Sequence, residues 1–283
     1  MPHLLRTATP SLREPVVVAA FEGWNDAGEA ATFAAKFLAE RWNAEEFASI
    51  DPEEFFDFTS TRPQVQLDDD NLREIIWPKT TLSAASVPDS DLDVIFVVGT
   101  EPQLKWRTFC GEIVGAAREH GARLVVSLGA LLAEVPHSRP VSIVGTAYEP
   151  DLVRQMGLTQ STYQGPTGIV GVLHDAFRRA GVPSASLWAA VPTYVPSAPS
   201  PKAALALVER VTELLGVPVA TTDLEIASAS YERQIDSLVA DDEDTAEYVA
   251  RLEQAADDTP LPDEPQGDLI AEVERFLRDN PST

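Results

Sequence analysis

Short apolar runs rich in β-branched residues alternate along the chain with longer segments in which apolar residues recur every three or four positions. The first pattern predicts buried strands and the second predicts helices with one buried face. Strands are expected in PVVVAAF (15–21), DLDVIFVVG (91–99), ARLVVSLGAL (122–131), VSIVGTA (141–147) and SASLWAAVP (184–192). Helices are expected in EAATFAAKFLAERW (29–42), the second half of 101–121, YEPDLVRQMG (148–157), VLHDAFRRAG (172–181) and KAALALVERVTELLG (202–216). The alternation predicts an α/β sandwich with a largely parallel central sheet and loops gathered at the carboxyl ends of its strands.

Residues 45 to 78 show a different pattern. EEFASI (45–50) and FFDFTS (55–60) are further strand candidates, and QVQLDDDNLREIIWP (64–78) is typical of two strands joined by an acidic turn. Hairpin strands are antiparallel, so we expect the central sheet to be mixed.

The composition changes at residue 221. Residues 221–283 contain 18 Asp or Glu and 4 Arg, a net charge of −14, and no strand-like run. Apolar residues near helical spacing predict two or three amphipathic helices, broken by DTPLPDEPQ (258–266). We therefore expect an α/β domain at 1–220 and an acidic helical extension at 221–283. The stripe expected to pack on the body is Leu224, Ile226, Tyr231, Ile235 and Leu238. Such a charge run is either a solvated face or an arm for a basic partner.

Composition excludes several classes of function. The net charge of −24 argues against nucleic acid and against acidic membrane surfaces, since both need clustered Lys and Arg. No run of about 18 apolar residues is present to cross a membrane, and the first 15 residues lack the apolar core of a signal peptide. Cys110 is the only cysteine, so no disulfide forms within the chain. We expect a cytoplasmic protein.

The loop after the first strand, EGWNDAGE (22–29), offers one candidate site. Asp26 or Asn25 can accept hydrogen bonds from the first amides of the following helix as a cap. Alternatively, Asp26 can act as a general base beside Trp24 as an aromatic wall, because such loops lie at the functional edge of a parallel sheet. Capping is the simpler interpretation.

Two more loops occupy equivalent places after later strands. Glu101, with Trp106 close by, follows one strand, and Pro136-His137-Ser138-Arg139-Pro140 follows another. His137 and Arg139 could bind an anion together, because an imidazolium and a guanidinium are natural partners of oxyanions. The four histidines lack metal-ligand spacing and no GxSxG motif is present, so no metal, cofactor or catalytic set is expected.

The stretch GPTGIVG (165–171) lies just before the helix at 172–181. Its glycines do not spell GxGxxG, and it lacks the Lys-Ser/Thr ending of a P-loop. Two interpretations stay open: Gly165, Thr167 and Gly168 form an anion cradle at a helix N-terminus, or they form a tight joint that needs glycine.

In the order EGWNDAGEAA, GTEPQLKW, PHSRP, GPTGIVG and VPSAPSPKAAL, the chain resembles the proteasome assembly chaperone family of the second type, in its bacterial, actinobacterial-like branch. The resemblance covers roughly residues 14–216. It implies a three-layer α/β/α fold similar to purine nucleoside phosphorylases, homotrimers, and no established active site. Some family members dock on the proteasome ring through a C-terminal hydrophobic-Tyr-any-residue tail, which the ending DNPST lacks.

Two functional hypotheses follow from these observations. The first is a non-enzymatic binding or assembly-chaperone-like protein with proteasome subunits or another protein as partner. The alternative is a nucleoside phosphorylase-like or hydrolase-like enzyme, or a binder of a small ligand, that uses the loops at the carboxyl edge of the sheet.

Overall fold

A nine-stranded mixed sheet runs through the centre of the molecule in the computed structural model, which describes residues 3–68, 71–160, 164–196 and 198–258. The strands are β1 (Leu4–Arg6), β2 (Val16–Glu22), β3 (Glu45–Ile50), β4 (Gln64–Leu67), β5 (Arg73–Ile76), β6 (Thr80–Ser86), β7 (Asp93–Thr100), β8 (Leu124–Ala133), β9 (Ile143–Ala147), β10 (Thr159–Gln160) and β11 (Ser184–Pro192). The helices are α1 (Ala30–Arg41), α2 (Trp106–Glu119), α3 (Pro150–Met156), α4 (Ile169–Arg179), α5 (Pro201–Leu215), α6 (Thr222–Ala240) and α7 (Glu243–Asp258).

The strand order is β1-β3-β6-β7-β2-β8-β11-β9-β10. The four central strands β7, β2, β8 and β11 are parallel neighbours, whereas β6, β3 and β1 continue the sheet antiparallel on one side and β9 pairs antiparallel with β11 on the other. The mixed α/β sheet predicted from the sequence is confirmed. Its antiparallel part was attributed to the wrong strands, because β4 and β5 form a separate two-stranded sheet.

Apolar side chains fill both faces of the sheet. Along β2, Val16, Val18 and Ala20 belong to one apolar layer and Val17, Ala19 and Phe21 to the other, as the two-residue period of a strand requires. Helices α1 and α5 cover the first layer, and α2 and α4 cover the second. The protein is therefore a three-layer α/β/α sandwich. The likeness to purine nucleoside phosphorylases stays a prediction.

The segment FFDFTS is not a strand. Asp51 accepts a hydrogen bond from the amide of Glu53 and starts a short 3-10 turn at Pro52–Glu54, after which Asp57 accepts from the amide and hydroxyl of Thr59. These side chains satisfy the backbone locally and hold a turn. Phe55 and Phe56 are buried because the turn folds onto the core rather than because the segment pairs in the sheet.

Helices α6 and α7 form the described part of the acidic C-terminal segment. Leu224, Tyr231 and Ile235 are buried as expected, but Ile226 and Leu238 are 65% and 62% exposed, so two members of the predicted stripe were wrong. A helix that packs against a single surface buries only a narrow stripe of its side chains, and the five predicted positions cover a wider part of its circumference. The third helix expected near the C-terminus and the break DTPLPDEPQ (apart from Asp258) lie outside the described residues.

Candidate functional site

The loops after β2 and β7 meet at one edge of the sheet. These strands are parallel neighbours, with Glu22 opposite Thr100, and the amide of Glu101 donates to the carbonyl of Glu22 at 2.9 Å. Because both loops leave the sheet at the same level, the topology brings together residues 76 positions apart: the Asn25 amide nitrogen donates to Glu101 Oε1 at 3.1 Å.

Glu101 also occupies the N-terminus of α4. Its Oε1 accepts a hydrogen bond of 2.8 Å from the backbone amide of Ile169, the first residue of that helix. Burial raises the pKa of Glu101, while the hydrogen bonds from Ile169 and Asn25 oppose that rise by stabilising the carboxylate. The helix terminus that an external anion would use is therefore filled by a carboxyl group of the chain itself.

Gly168 is the point where the glycine-rich stretch approaches this carboxyl group. A Cβ on Gly168 would lie 2.8 Å from Asn25 Oδ1, 3.0 Å from Glu101 Oε1 and 3.0 Å from a ring carbon of Trp24. Only glycine allows such close approach, which favours the tight joint over the anion cradle. We call Trp24, Asn25, Glu101 and Gly168 the Glu101 cluster.

The residues of the glycine-rich stretch that precede Gly168 are exposed, whereas Ile169 and Val170 are buried in the core. Gly165 and Thr167 are exposed, and Thr167 Oγ1 lies 2.0 Å from the position that a Cβ on Gly171 would take. Gly165 and Thr167 therefore lie beside the Glu101 cluster on the surface.

Asp26 caps α1. Its Oδ1 accepts from the amides of Ala31 (2.7 Å) and Thr32 (3.2 Å), and its Oδ2 accepts from the Thr32 hydroxyl. Asp26 is 7% exposed, and burial raises the pKa of its carboxyl group against the effect of these bonds. A cleft of about 350 Å³ passes beside it, lined by Trp24, Asp26, Glu29, Leu132, Pro196 and Pro199. Since three donors already engage the carboxylate, the geometry matches the capping interpretation rather than a free base.

Trp106 stands apart from this group. It is the first residue of α2, its indole nitrogen donates to the carbonyl of Pro102, and its ring packs on the apolar layer beneath α2 and α4. The indole stabilises the start of α2.

His137 and Arg139 form a second group, and their partners come from the acidic C-terminal helices. We call residues 136–140 the His137 loop. His137 is 3% exposed, with Nδ1 2.8 Å from the Tyr194 hydroxyl and Nε2 3.0 Å from Asp236 Oδ1 on α6. Arg139 holds Asp257 of α7 through two bonds of 2.8 and 2.7 Å. The two side chains expected to bind an anion thus contact carboxylates of the chain.

Sequence reasoning missed Lys202, which completes this second group. Its Nζ donates to the carbonyls of His137 and Arg139 and to the carboxylate of Glu232 on α6. The helix dipole disfavours a positive charge in the first turn of a helix. The position of Lys202 in the first turn of α5 therefore indicates that acidic or carbonyl partners lie nearby.

His174 has a role that its sequence context does not indicate, because both of its partners lie on other elements of the fold. It lies between the hydroxyls of Ser127 and Ser184, each 2.7 Å from one ring nitrogen, and burial lowers the pKa of His174 to about 4. A histidine enclosed in this way stays neutral and serves the core. In the described part of the chain, no group of three or more His, Cys, Asp or Glu is arranged to hold a metal ion. Among the described helices, none is long and apolar enough to span a bilayer.

The fold is a three-layer α/β sandwich, and the polar side chains at the edge of its sheet bond to other groups of the chain. Among the described residues, they do not form a catalytic set. The chain belongs to the PAC2 family, whose profile matches residues 20–239. The family and the actinobacterial relationship predicted from the sequence are confirmed. No protein of curated function matches the chain.

Three solved structures are similar along most of the chain. A PAC2 family protein from Streptomyces avermitilis is 48% identical, with a TM-score of 0.77 over 83% of this chain and 99% of that one. A Mycobacterium tuberculosis protein described as a proteasome-assembly chaperone homologue is 46% identical, with a TM-score of 0.75 over the same shares. A second M. tuberculosis protein, of unknown function, is 28% identical, with a TM-score of 0.85 over 100% of this chain and 98% of that one.

Proposed function

We propose that this protein is a non-enzymatic binding protein of the assembly-chaperone kind and that its partners are proteasome subunits. One observation carries the proposal: the polar groups that an enzyme would direct at a substrate are already engaged within the chain. Glu101 and Asp26 accept hydrogen bonds from helix amides, and Arg139 pairs with Asp257. The similarity to the mycobacterial chaperone homologue supports the choice of partner.

A phosphorolytic enzyme would need a cationic pocket for phosphate. The candidates for that role, His137 and Arg139, face Asp236 and Asp257, and the helix terminus above Gly168 is filled by Glu101. These contacts weigh against the enzyme alternative.

The partner surface in this proposal is the exposed rim around the Glu101 cluster. Trp24 lines the cleft, and Gly165 and Thr167 are exposed beside it. Asn25, Glu101 and Gly168 support this rim from beneath, while Trp106, His137 and Arg139 hold the neighbouring elements. The proposal includes self-association into a homotrimer and a cytoplasmic location. It also treats residues 1–220 as the binding body and residues 221–283 as an extension.

Co-elution of the full chain with purified proteasome α-type and β-type subunits tests the function. We expect a stable complex, which Thr167→Arg weakens at least tenfold because a long charged side chain then projects from the rim. Thr9→Arg, on an exposed residue that precedes β2, is the matched control and should bind like the parent.

A second measurement covers the enzyme alternative. A nucleoside, nucleobase or phosphate at 100 times its dissociation constant would stabilise the chain by about 2.7 kcal/mol. A shift of that size, together with no subunit complex, would overturn the proposal.

A further inference from the structure

Helix α7 is held to the rest of the molecule by few apolar contacts. Of its 16 residues, all of them described, only Val249 is buried. Helix α6, by contrast, buries Leu224, Tyr231 and Ile235 and packs against α5. An amphipathic helix owes most of its stability to the apolar face that it buries. We therefore expect α7 to detach from the molecule more easily than α6 does.

The polar contacts of the C-terminal half of α7 are made with the His137 loop. The guanidinium of Arg139 donates to both carboxylate oxygens of Asp257, at 2.8 and 2.7 Å, and lies 3.7 Å from Glu253 Oε1. The Ser138 hydroxyl also donates to Glu253. A paired bond between a guanidinium and a carboxylate fixes the orientation of both groups. The His137 loop therefore receives two carboxylates that lie four positions apart on one helix.

The N-terminal half of α7 makes a different set of contacts. The ring of Tyr248 packs edge-on against that of Tyr194, with the ring centroids 6.1 Å apart. The Tyr248 hydroxyl donates to Glu134 Oε1 at 3.4 Å. The acidic group on this side thus meets a hydroxyl donor rather than a second carboxylate. The surface beneath α7 has an aromatic, acidic end and a cationic end, and α7 matches both.

The other charged groups nearby do not compete for Arg139. Asp236 of α6 contacts His137. Glu232 of α6 contacts Lys202. Within the part of the chain that the structure describes, Arg139 forms ion pairs only with the two carboxylates of α7. Detachment of α7 would therefore leave this guanidinium free for a carboxylate from outside the chain.

The surface and the helix that covers it differ in their relation to the family. Ser138, Arg139 and Tyr194 lie within residues 20–239, which match the PAC2 profile. Helix α7 begins at Glu243, beyond that match. The covered surface thus belongs to the matched region, and α7 is an addition to it.

We propose that the surface formed by Glu134, Ser138, Arg139 and Tyr194, which we call the Arg139 surface, is a docking site for an acidic amphipathic helix of a partner protein. Helix α7 occupies this site as an internal competitor. The partner helix carries the features that α7 presents, namely a tyrosine, an apolar residue directly after it, and carboxylates four and eight positions beyond the apolar residue.

Competition by α7 has a measurable consequence. A partner helix binds only to molecules in which α7 is detached, so the apparent dissociation constant rises in inverse proportion to the detached fraction. The Arg139 surface is separate from the Glu101 cluster, and its role does not depend on the proposed binding of proteasome subunits.

Fluorescence anisotropy of the full chain with a labelled peptide of α7 (Glu243–Asp258) tests the docking site. Val249→Asp removes the buried contact of α7 and should bind the peptide at least about tenfold more tightly than the parent does, because α7 no longer occupies the surface. Ala250→Asp adds the same charge at the exposed neighbouring position and should bind like the parent. Circular dichroism confirms that each variant is folded.

A charge exchange tests whether Arg139 recognises the helix. Adding Arg139→Glu to the Val249→Asp chain should weaken binding of the peptide at least about tenfold, since like charges then face each other. A peptide that carries Asp257→Arg should bind this double variant more tightly than the unchanged peptide does. Failure of the exchanged peptide to recover any binding would overturn the role of Arg139.

Hydrogen exchange and light scattering cover the remaining outcomes. If α7 stayed as protected in Val249→Asp as in the parent, its weak attachment would be wrong. If α7 exchanged rapidly and the chain still bound no peptide, the docking site would be wrong. A fall in molecular mass on Val249→Asp would also overturn the proposal, because α7 would then lie on a second copy of the chain. Binding of proteasome subunits is measured separately with Thr167→Arg, so the failure of either proposal can be recognised without the other.

Discussion

The Glu101 cluster and the His137 loop both lie where strands of the central sheet end, but their side chains stabilise different parts of the molecule. Glu101 bonds to Asn25 and to the amide of Ile169, all within the sandwich. Arg139 bonds to Asp257 at the far end of α7, across 118 positions of sequence. The contacts of Glu101 stabilise the α/β sandwich, and those of Arg139 hold the acidic helices against it. Loss of the two sets of contacts should therefore destabilise the protein by different amounts and in different regions.

The largest loss of stability is expected when a side chain is added at the closest contact within the Glu101 cluster. Gly168→Val should lower the free energy of unfolding by about 1–3 kcal/mol, because the new side chain overlaps Asn25, Glu101 and Trp24 in a closely packed site. Urea unfolding measures the loss. Burial raises the pKa of Cys110 to about 12, so faster reaction with a thiol reagent would report opening of the body. Thr167→Val, on the exposed neighbour, is the control; equal losses in the two variants would contradict the close-approach argument.

A smaller loss is expected at the neighbouring cap. Asp26→Ala removes the acceptor for the amides of Ala31 and Thr32 and should cost about 1–2 kcal/mol. Asp26→Asn keeps one acceptor oxygen and should fall between the parent and the alanine variant in thermal unfolding. If Asp26→Ala were instead as stable as the parent, Asp26 would not be acting as a cap.

The pH dependence of Glu101 gives a third test. Its pKa is raised in the folded state, so the folded chain holds this proton more tightly than the unfolded chain does. The resulting stabilisation is complete below the ordinary carboxyl value of 4.5 and is lost as the pH rises through the raised value. Glu101→Gln, whose Oε1 can accept the same bonds, should gain stability relative to the parent as the pH increases across this window.

Urea unfolding of the parent and Glu101→Gln at matched pH values measures that difference. Asp93, whose pKa is lowered, responds in the opposite direction, and Asp26, whose pKa is raised, responds in the same direction, but each responds equally in both chains. A difference that stays constant with pH would show that Glu101 is not the responsible group.

The smallest effect is expected at the His137 loop. Arg139→Gln removes exposed ion pairs to Asp257 and Glu253, which salt screens. Hydrogen exchange should become faster in α7 while α4 and the central strands stay protected, and added salt should reduce the difference between variant and parent. Arg251→Gln, which loses a pair within α7 itself, is the control. Faster exchange throughout the α/β sandwich would contradict this comparison, because the His137 loop would then stabilise the whole sandwich as the Glu101 cluster does.

Individual residues show how far sequence reasoning reached into the site. Asp26 follows a buried strand and precedes a helix, so its capping role follows from local order alone. The role of Gly168 stayed open, because a glycine before a helix suits an anion and a close contact equally well. Nothing in the sequence indicated that Glu101 would fill that helix terminus. Lys202 carried a usable signal through its place in a first helical turn.

By itself, the sequence determined the alternation of strands and helices, the family and the acidic helical character of residues 221–258, because these depend on local periodicity and composition. Only the tertiary structure decided which face of α6 is buried, why FFDFTS turns instead of pairing, and which carboxylate meets which cation. Such outcomes depend on contacts between residues distant in sequence, and these contacts form only when the sheet order brings the loops to one edge. Periodicity indicates that a helix or strand has an apolar face, whereas the tertiary fold determines how much of that face is buried and which residues pack on it.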